Sequence, residues 1–169
     1  MIGTALMAAC LVALVYGALS DVSERRVPNR SNAVAFVLGV ATQIAWHGIP
    51  GVAPAFLGAL VGLAVLFVPF AIGWMGAGDV KILAAGSTLL GPELAILAGL
   101  VGLVLGGVVA VAMVAQQSPE KRREVVENVR VSLLARSAPM VSQSSKQAAV
   151  PLAAPLAASI FVFAMVGAS

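Results

Sequence analysis

Asp21 and Asp79 are the residues of this chain whose type and setting could do chemistry. Each stands at the edge of an apolar run, where an ionisable side chain is costly and needs a reason. Two carboxylates in contact cannot both ionise cheaply, so such a pair shares a proton and titrates as a unit. One member can then act as general base on a water while the protonated partner polarises a peptide carbonyl. Gly76 and Gly78 immediately precede Asp79. Lacking Cβ atoms, they are expected to allow a sharp turn and the close approach of an extended substrate. Lys81 is expected either to balance local charge or to extend to the membrane interface.

Other chemistries find less support. His47 is the one histidine, beside Gly48 and Pro50, and reads as a surface residue. There is no His–Glu–His zinc pattern, P-loop or dinucleotide fingerprint, so neither a metal nor a cofactor is expected. A Ser–Lys dyad stays open. The single cysteine, Cys10, lies inside an apolar run and reads as a small buried hydrophobe. Each acid also has an ordinary structural reading: Asp79 as a helix N-cap, and Asp21 as the partner of Arg25 four residues on.

The elements that must hold these acids follow from composition. Of 169 residues, 60% are apolar and only 10% charged, with mean hydropathy +1.03. Soluble domains carry about 25% charged residues. The chain is therefore expected to be one all-α membrane domain, 1–169. Six uncharged stretches read as transmembrane helices, roughly 2–19, 32–46, 52–73, 80–90, 94–115 and 148–166. The fourth is short and stopped by Gly91-Pro92, but charge topology favours a true crossing. Gly58-x-x-x-Gly62 and Gly102-x-x-x-Gly106 have the spacing of close helix packing.

Six crossings place the connections near 20–31, 74–79 and 116–147 on one side, and these with their margins carry all ten Lys and Arg. That side is expected to be cytoplasmic, with both termini outside. Trp46 and Trp74 fall at segment ends, as an aromatic belt would place them. Residues 1–20 lack the basic start of a secretory signal and are expected to remain as a span. The linker 116–147 reads either as an amphipathic segment on the inner surface, between helices 5 and 6, or as a solvated charged loop. The net charge of +3 belongs to these inner-face positions, and no nucleic-acid partner is expected.

Two motifs then resemble a known family. Gly76-Ala77-Gly78-Asp79-Val80-Lys81 matches the Gly-x-Gly-Asp-x-Lys signature of type IV prepilin peptidases. The stretch Asp21-Val22-Ser23-Glu24-Arg25-Arg26-Val27-Pro28-Asn29 resembles that family's other block, an aspartate followed by a basic residue and Val/Ile-Pro-Asn. The resemblance implies a membrane aspartic endopeptidase of the inner membrane, with a cytoplasmic-side active site that removes a basic leader just before a prepilin's hydrophobic helix. Asp21 and Asp79 would be the catalytic pair. Gly76, Gly78 and Lys81 would form the active-site loop, and Arg26, Pro28 and Asn29 the first-loop motif. Pro28 would limit φ and Asn29 would cap locally. Larger members carry an added Cys-x-x-Cys region and also methylate the product. The resemblance here is to the small branch serving tight-adherence (Flp-type) pili, or to archaeal preflagellin peptidases, which implies cleavage without N-methylation. The implied partners are a prepilin, the lipid bilayer and pilus assembly machinery.

Two other classes remain. A non-catalytic membrane subunit of a pilus or secretion assembly would use the glycine stripes and basic linker for contacts. A small proton-coupled transporter would use paired acids to carry protons, although these acids lie at the face and not at mid-bilayer.

Overall fold

The structure, a computed structural model, describes residues 1–24, 28–71, 75–116, 118, 123, 127 and 152–167. Five helices make up the described fold: α1 (Ile2–Glu24), α2 (Asn29–His47), α3 (Val52–Ala71), α4 (Ala77–Ala115) and α5 (Ala153–Gly167), with a 3₁₀ turn at Ile49–Gly51 before α3. No strand occurs among the described residues. Three stretches are long and apolar enough to cross a membrane: Ile2–Asp21, Ile49–Ala71 and Ala77–Ala115. The apolar α5 is shorter, with 15 residues.

The fourth and fifth expected segments belong to one helical stretch, α4. It is broken at Gly91, where φ is 76° and ψ 177°. Only glycine takes that conformation readily. Pro92 follows and has no N–H to continue the ladder. The break is a reversal. A carbon added to Gly99 would lie 3.1 Å from the Leu83 side chain. In a straight helix residues 83 and 99 would be about 24 Å apart. The arms 77–90 and 92–115 therefore lie against each other, turning on one residue with no intervening loop.

Arm 77–90 is the centre of the bundle. From Ile82 to Gly91 every residue except Ala84 is buried. A helix buried on all sides must be apolar or small on all sides, and Ile82-Leu83-Ala84-Ala85-Gly86-Ser87-Thr88-Leu89-Leu90 is so. α3 reaches it through Gly58 and Gly62, which face Ser87, Leu83 and Gly91 so closely that any added carbon overlaps them. α2 approaches through Gly39, against Thr88 and Leu89, and α5 through Ile160, against Gly86. Gly102 meets Leu156 of α5, and Gly106 meets Leu152 just before that helix. Both Gly-x-x-x-Gly pairs are thus packing sites.

α1 runs antiparallel to α2: Gly3 meets Trp46, and the buried Cys10 thiol donates to the Ala35 carbonyl at 3.2 Å. The outer surface is apolar, with Val12, Leu60, Val68, Val104, Val108 and Val111 all more than half exposed. Water would not tolerate so continuous a patch, and lipid would.

Candidate active site

Helix direction decides which residues can meet. α1 descends as α2 ascends, and α2 ascends beside arm 77–90, with Asn29 near Lys81 and Gln43 near Leu89. The end of α1, the start of α2 and the start of α4 consequently share one end of the bundle. Asp21 lies in the last turns of α1 and Asp79 in the first turn of α4.

Asp79 is buried, with 8% of its surface exposed. It is the third residue of α4, not the N-cap that its place before the apolar run suggests. Gly76 is the N-cap. The Gly76 N–H donates to Asp79 Oδ2 at 3.2 Å, and the Asp79 N–H donates to the Gly76 carbonyl at 3.2 Å. The carboxylate thus reaches back over the helix start, where the dipole favours negative charge. Asp21 is half-buried and close enough for its charge to act directly on Asp79. The structure places the two acids at the same end of the bundle.

The glycines correct one expectation. Gly76 has φ −78° and ψ 151°, an extended conformation open to any residue. A carbon added there would sit at 3.5 Å from Asp79 Oδ2, an ordinary contact. No sharp turn requires glycine at 76. Gly76 is exposed and Gly78 half-buried, which leaves bareness of the backbone as the local consequence of the motif.

The first-loop motif is also placed differently. Pro28 is the N-cap of α2 with φ −63°, as its ring dictates. Its carbonyl accepts from the Ser31 hydroxyl at 2.8 Å. Asn29 does not cap locally. It is the first residue of α2, and its Oδ1 accepts from Lys81 Nζ at 2.9 Å. Sequence reasoning gave each residue a separate task and missed this pairing across 52 positions. Only the register of two helices could reveal it. It also missed Asn32, one turn inward on α2. Asn32 is 7% exposed, and neither side-chain polar atom has a partner among the described residues.

Arg25, Arg26, Trp74 and almost all of the 116–147 linker lie outside the described residues. Arg30 and His47 are exposed, and Trp46 ends α2 beside His47.

This is an apolar helical bundle of membrane type, with two interacting carboxylates at one end, one of them held in a glycine-flanked helix start. The chain matches the family model for the type IV leader peptidase family over residues 8–111. That span contains both aspartates, both motifs and nearly all of α1–α4. The chain belongs to the type IV leader peptidase family. Comparison with curated proteins and with solved structures gave no match.

Proposed function

We propose that the protein is a membrane aspartic endopeptidase that removes the leader from type IV, Flp-type prepilins at the cytoplasmic face. Asp21 and Asp79 are its catalytic pair. They hold one proton between them and bind a water. The ionised carboxylate takes a proton from that water as it attacks the scissile carbonyl, and the protonated partner donates to the carbonyl oxygen. Collapse of the tetrahedral intermediate breaks the C–N bond, and the amine leaves with a proton from the pair.

What supports this reading is the placement of both acids at one end of the bundle, within range of each other's charge, with Asp79 buried and bonded to the Gly76 N–H. Family membership supports a leader peptidase activity. The placement fits a substrate whose cleavage site precedes a hydrophobic helix. Such a helix would lie along the apolar bundle while its basic leader stayed at the charged end. Arg30 and Lys81 share that end, whereas His47–Gly51 and Gly91–Glu93 at the other contain no Lys or Arg. By the positive-inside rule the acids face the cytoplasm of the inner membrane. We read the two arms of α4 as separate crossings, a reading that the reversal at Gly91 supports and that would make six spans with both termini outside.

The test is cleavage of a prepilin-type substrate by the full chain in proteoliposomes. Asp21→Asn and Asp79→Asn keep size and polarity but cannot share the proton. Each should lose at least about a hundredfold in rate. Cleavage retained by either variant would refute the catalytic pair. The mass of the new N-terminus reads cleavage and methylation together, and an unmodified amine is the expected product.

A further inference from the structure

Lys81 is exposed, two residues past Asp79, and in a membrane protein its simplest task would be to reach for the interface. Instead its ammonium lies 2.9 Å from Asn29 Oδ1, a side-chain bond between the first residue of α2 and the second turn of α4. This location is not favourable to the helices themselves. A cation beside the start of α2 meets the positive end of that helix's dipole. Helix stability therefore does not account for a lysine here.

The covalent connection gives the bond a consequence. Only residues 25–28 separate the end of α1 from α2. Asp21 lies in the last turns of α1, just before that tether, and Asp79 lies two residues before Lys81. A bond between the starts of α2 and α4 joins the helix that follows Asp21 in the chain to the helix that carries Asp79. Among the described residues Asp79 itself makes no bond of comparable reach: its Oδ2 accepts from Gly76 within its own segment.

We propose that the Lys81–Asn29 bond is a positioning clamp: it sets the separation of Asp21 and Asp79, and neither residue touches the substrate. The inference rests on the peptidase reading above. A clamp acts as a unit, so its two halves must be non-additive. A lysine acting only by its charge on the acids would behave otherwise, because Asn29 carries none.

The experiment is a double-mutant cycle in proteoliposomes with Lys81→Met, Asn29→Leu and the double variant, measuring kcat, KM and pH profile on a prepilin-type substrate. A displacement of the acids lowers kcat, and each single variant should lose about tenfold with KM little changed. The double variant should be no slower than the slower single, and both singles should change the pH profile alike. Asn29→Asp, which offers Lys81 a carboxylate at the same reach, should retain most of the activity. Multiplicative losses in the double variant would overturn the clamp. So would a pH profile shifted by Lys81→Met but not by Asn29→Leu.

Hydrogen exchange on the full chain supplies a readout that needs no substrate. Lys81→Met should speed exchange in the first turn of α2, and Asn29→Leu in the first turn of α4. Unchanged exchange in both would also overturn it. If the aspartate variants cleave as well as the unaltered chain, the peptidase reading fails on that result alone, and exchange still decides whether the clamp exists.

Discussion

α2 carries two buried amides on one face, Asn32 and Gln43, and they differ in what they bond. Eleven residues apart, they fall within about 20° of each other around the helix, and both are buried. Gln43 donates through Nε2 to the Leu89 carbonyl at 2.8 Å. That carbonyl lies at the end of arm 77–90, just before the break at Gly91, where the helix's own ladder cannot supply a partner. Gln43 completes a helix end. Asn32 completes nothing among the described residues. The same division separates the two ends of the arm. The Gly91 end is closed by glycine contacts and a bonded amide. The Asp79 end holds a buried acid, a second acid acting on it, an exposed lysine bond and an amide without a partner among the described residues. Glycine packing is concentrated away from the proposed chemistry, and the amide without a partner among the described residues lies in the half of α2 nearer to it.

The largest structural effect should come from breaking the closed end. Gly58→Leu drives a side chain into the Ser87 carbonyl and Gly91 backbone, which cannot move aside as a flexible side chain would. Overpacking typically costs about 1–3 kcal/mol, and contact with backbone puts this case at the upper limit or beyond. The expected result is loss of folded protein in detergent, measured by thermal unfolding, with cleavage lost in proportion. A variant of normal stability would show that α3 does not depend on this contact.

Gly91→Ala should follow. Nothing crowds an added carbon at 91, so the penalty is conformational alone. A φ of 76° with ψ 177° is costly for alanine by about 1–3 kcal/mol. Thermal unfolding should register that loss while the kinetics of the folded fraction stay near normal, because the turn is remote from the acids. Reduced kcat in fully folded protein would show that the turn is coupled to the site.

Much of this was legible in the sequence, and the exceptions share a cause. The apolar runs announced a helical membrane bundle, because burial in lipid leaves few other choices. The glycine pairs at 58 and 62 and at 102 and 106 announced close packing by spacing alone. Asp21 and Asp79 stood out because charge at the edge of an apolar run is rare. Short-range details went astray where several local solutions satisfy the same residues. Asp79 can serve a helix start as N-cap or as third residue, and only the position of the first helical residue, Ala77, separates the two. Gly91-Pro92 could end a helix before a loop or reverse it in place. The Lys81–Asn29 bond and the burial of the Asn32 amide were beyond reach for a different reason. Both depend on how α2 is rotated against α4, where Gly39 and the Phe36 carbonyl meet Thr88.

The smallest effect is also the sharpest test of the contrast between the amides. Gln43→Leu leaves the Leu89 carbonyl buried without its donor, which should cost about 1–3 kcal/mol. Asn32→Leu removes two polar atoms that bond to nothing among the described residues. Replacing unpartnered polar groups by an apolar side chain of similar size is nearly neutral or stabilising. The expected pattern is therefore opposite in sign: a lower Tm for Gln43→Leu and an equal or higher Tm for Asn32→Leu, in the same detergent. Equal losses in the two variants would mean that Asn32 is bonded in solution as Gln43 is, and the distinction between a closed end and an open one would collapse. A rise at position 32 would instead mean that the folded chain keeps a destabilising amide one turn along α2 from Asn29, toward the end that holds the two acids.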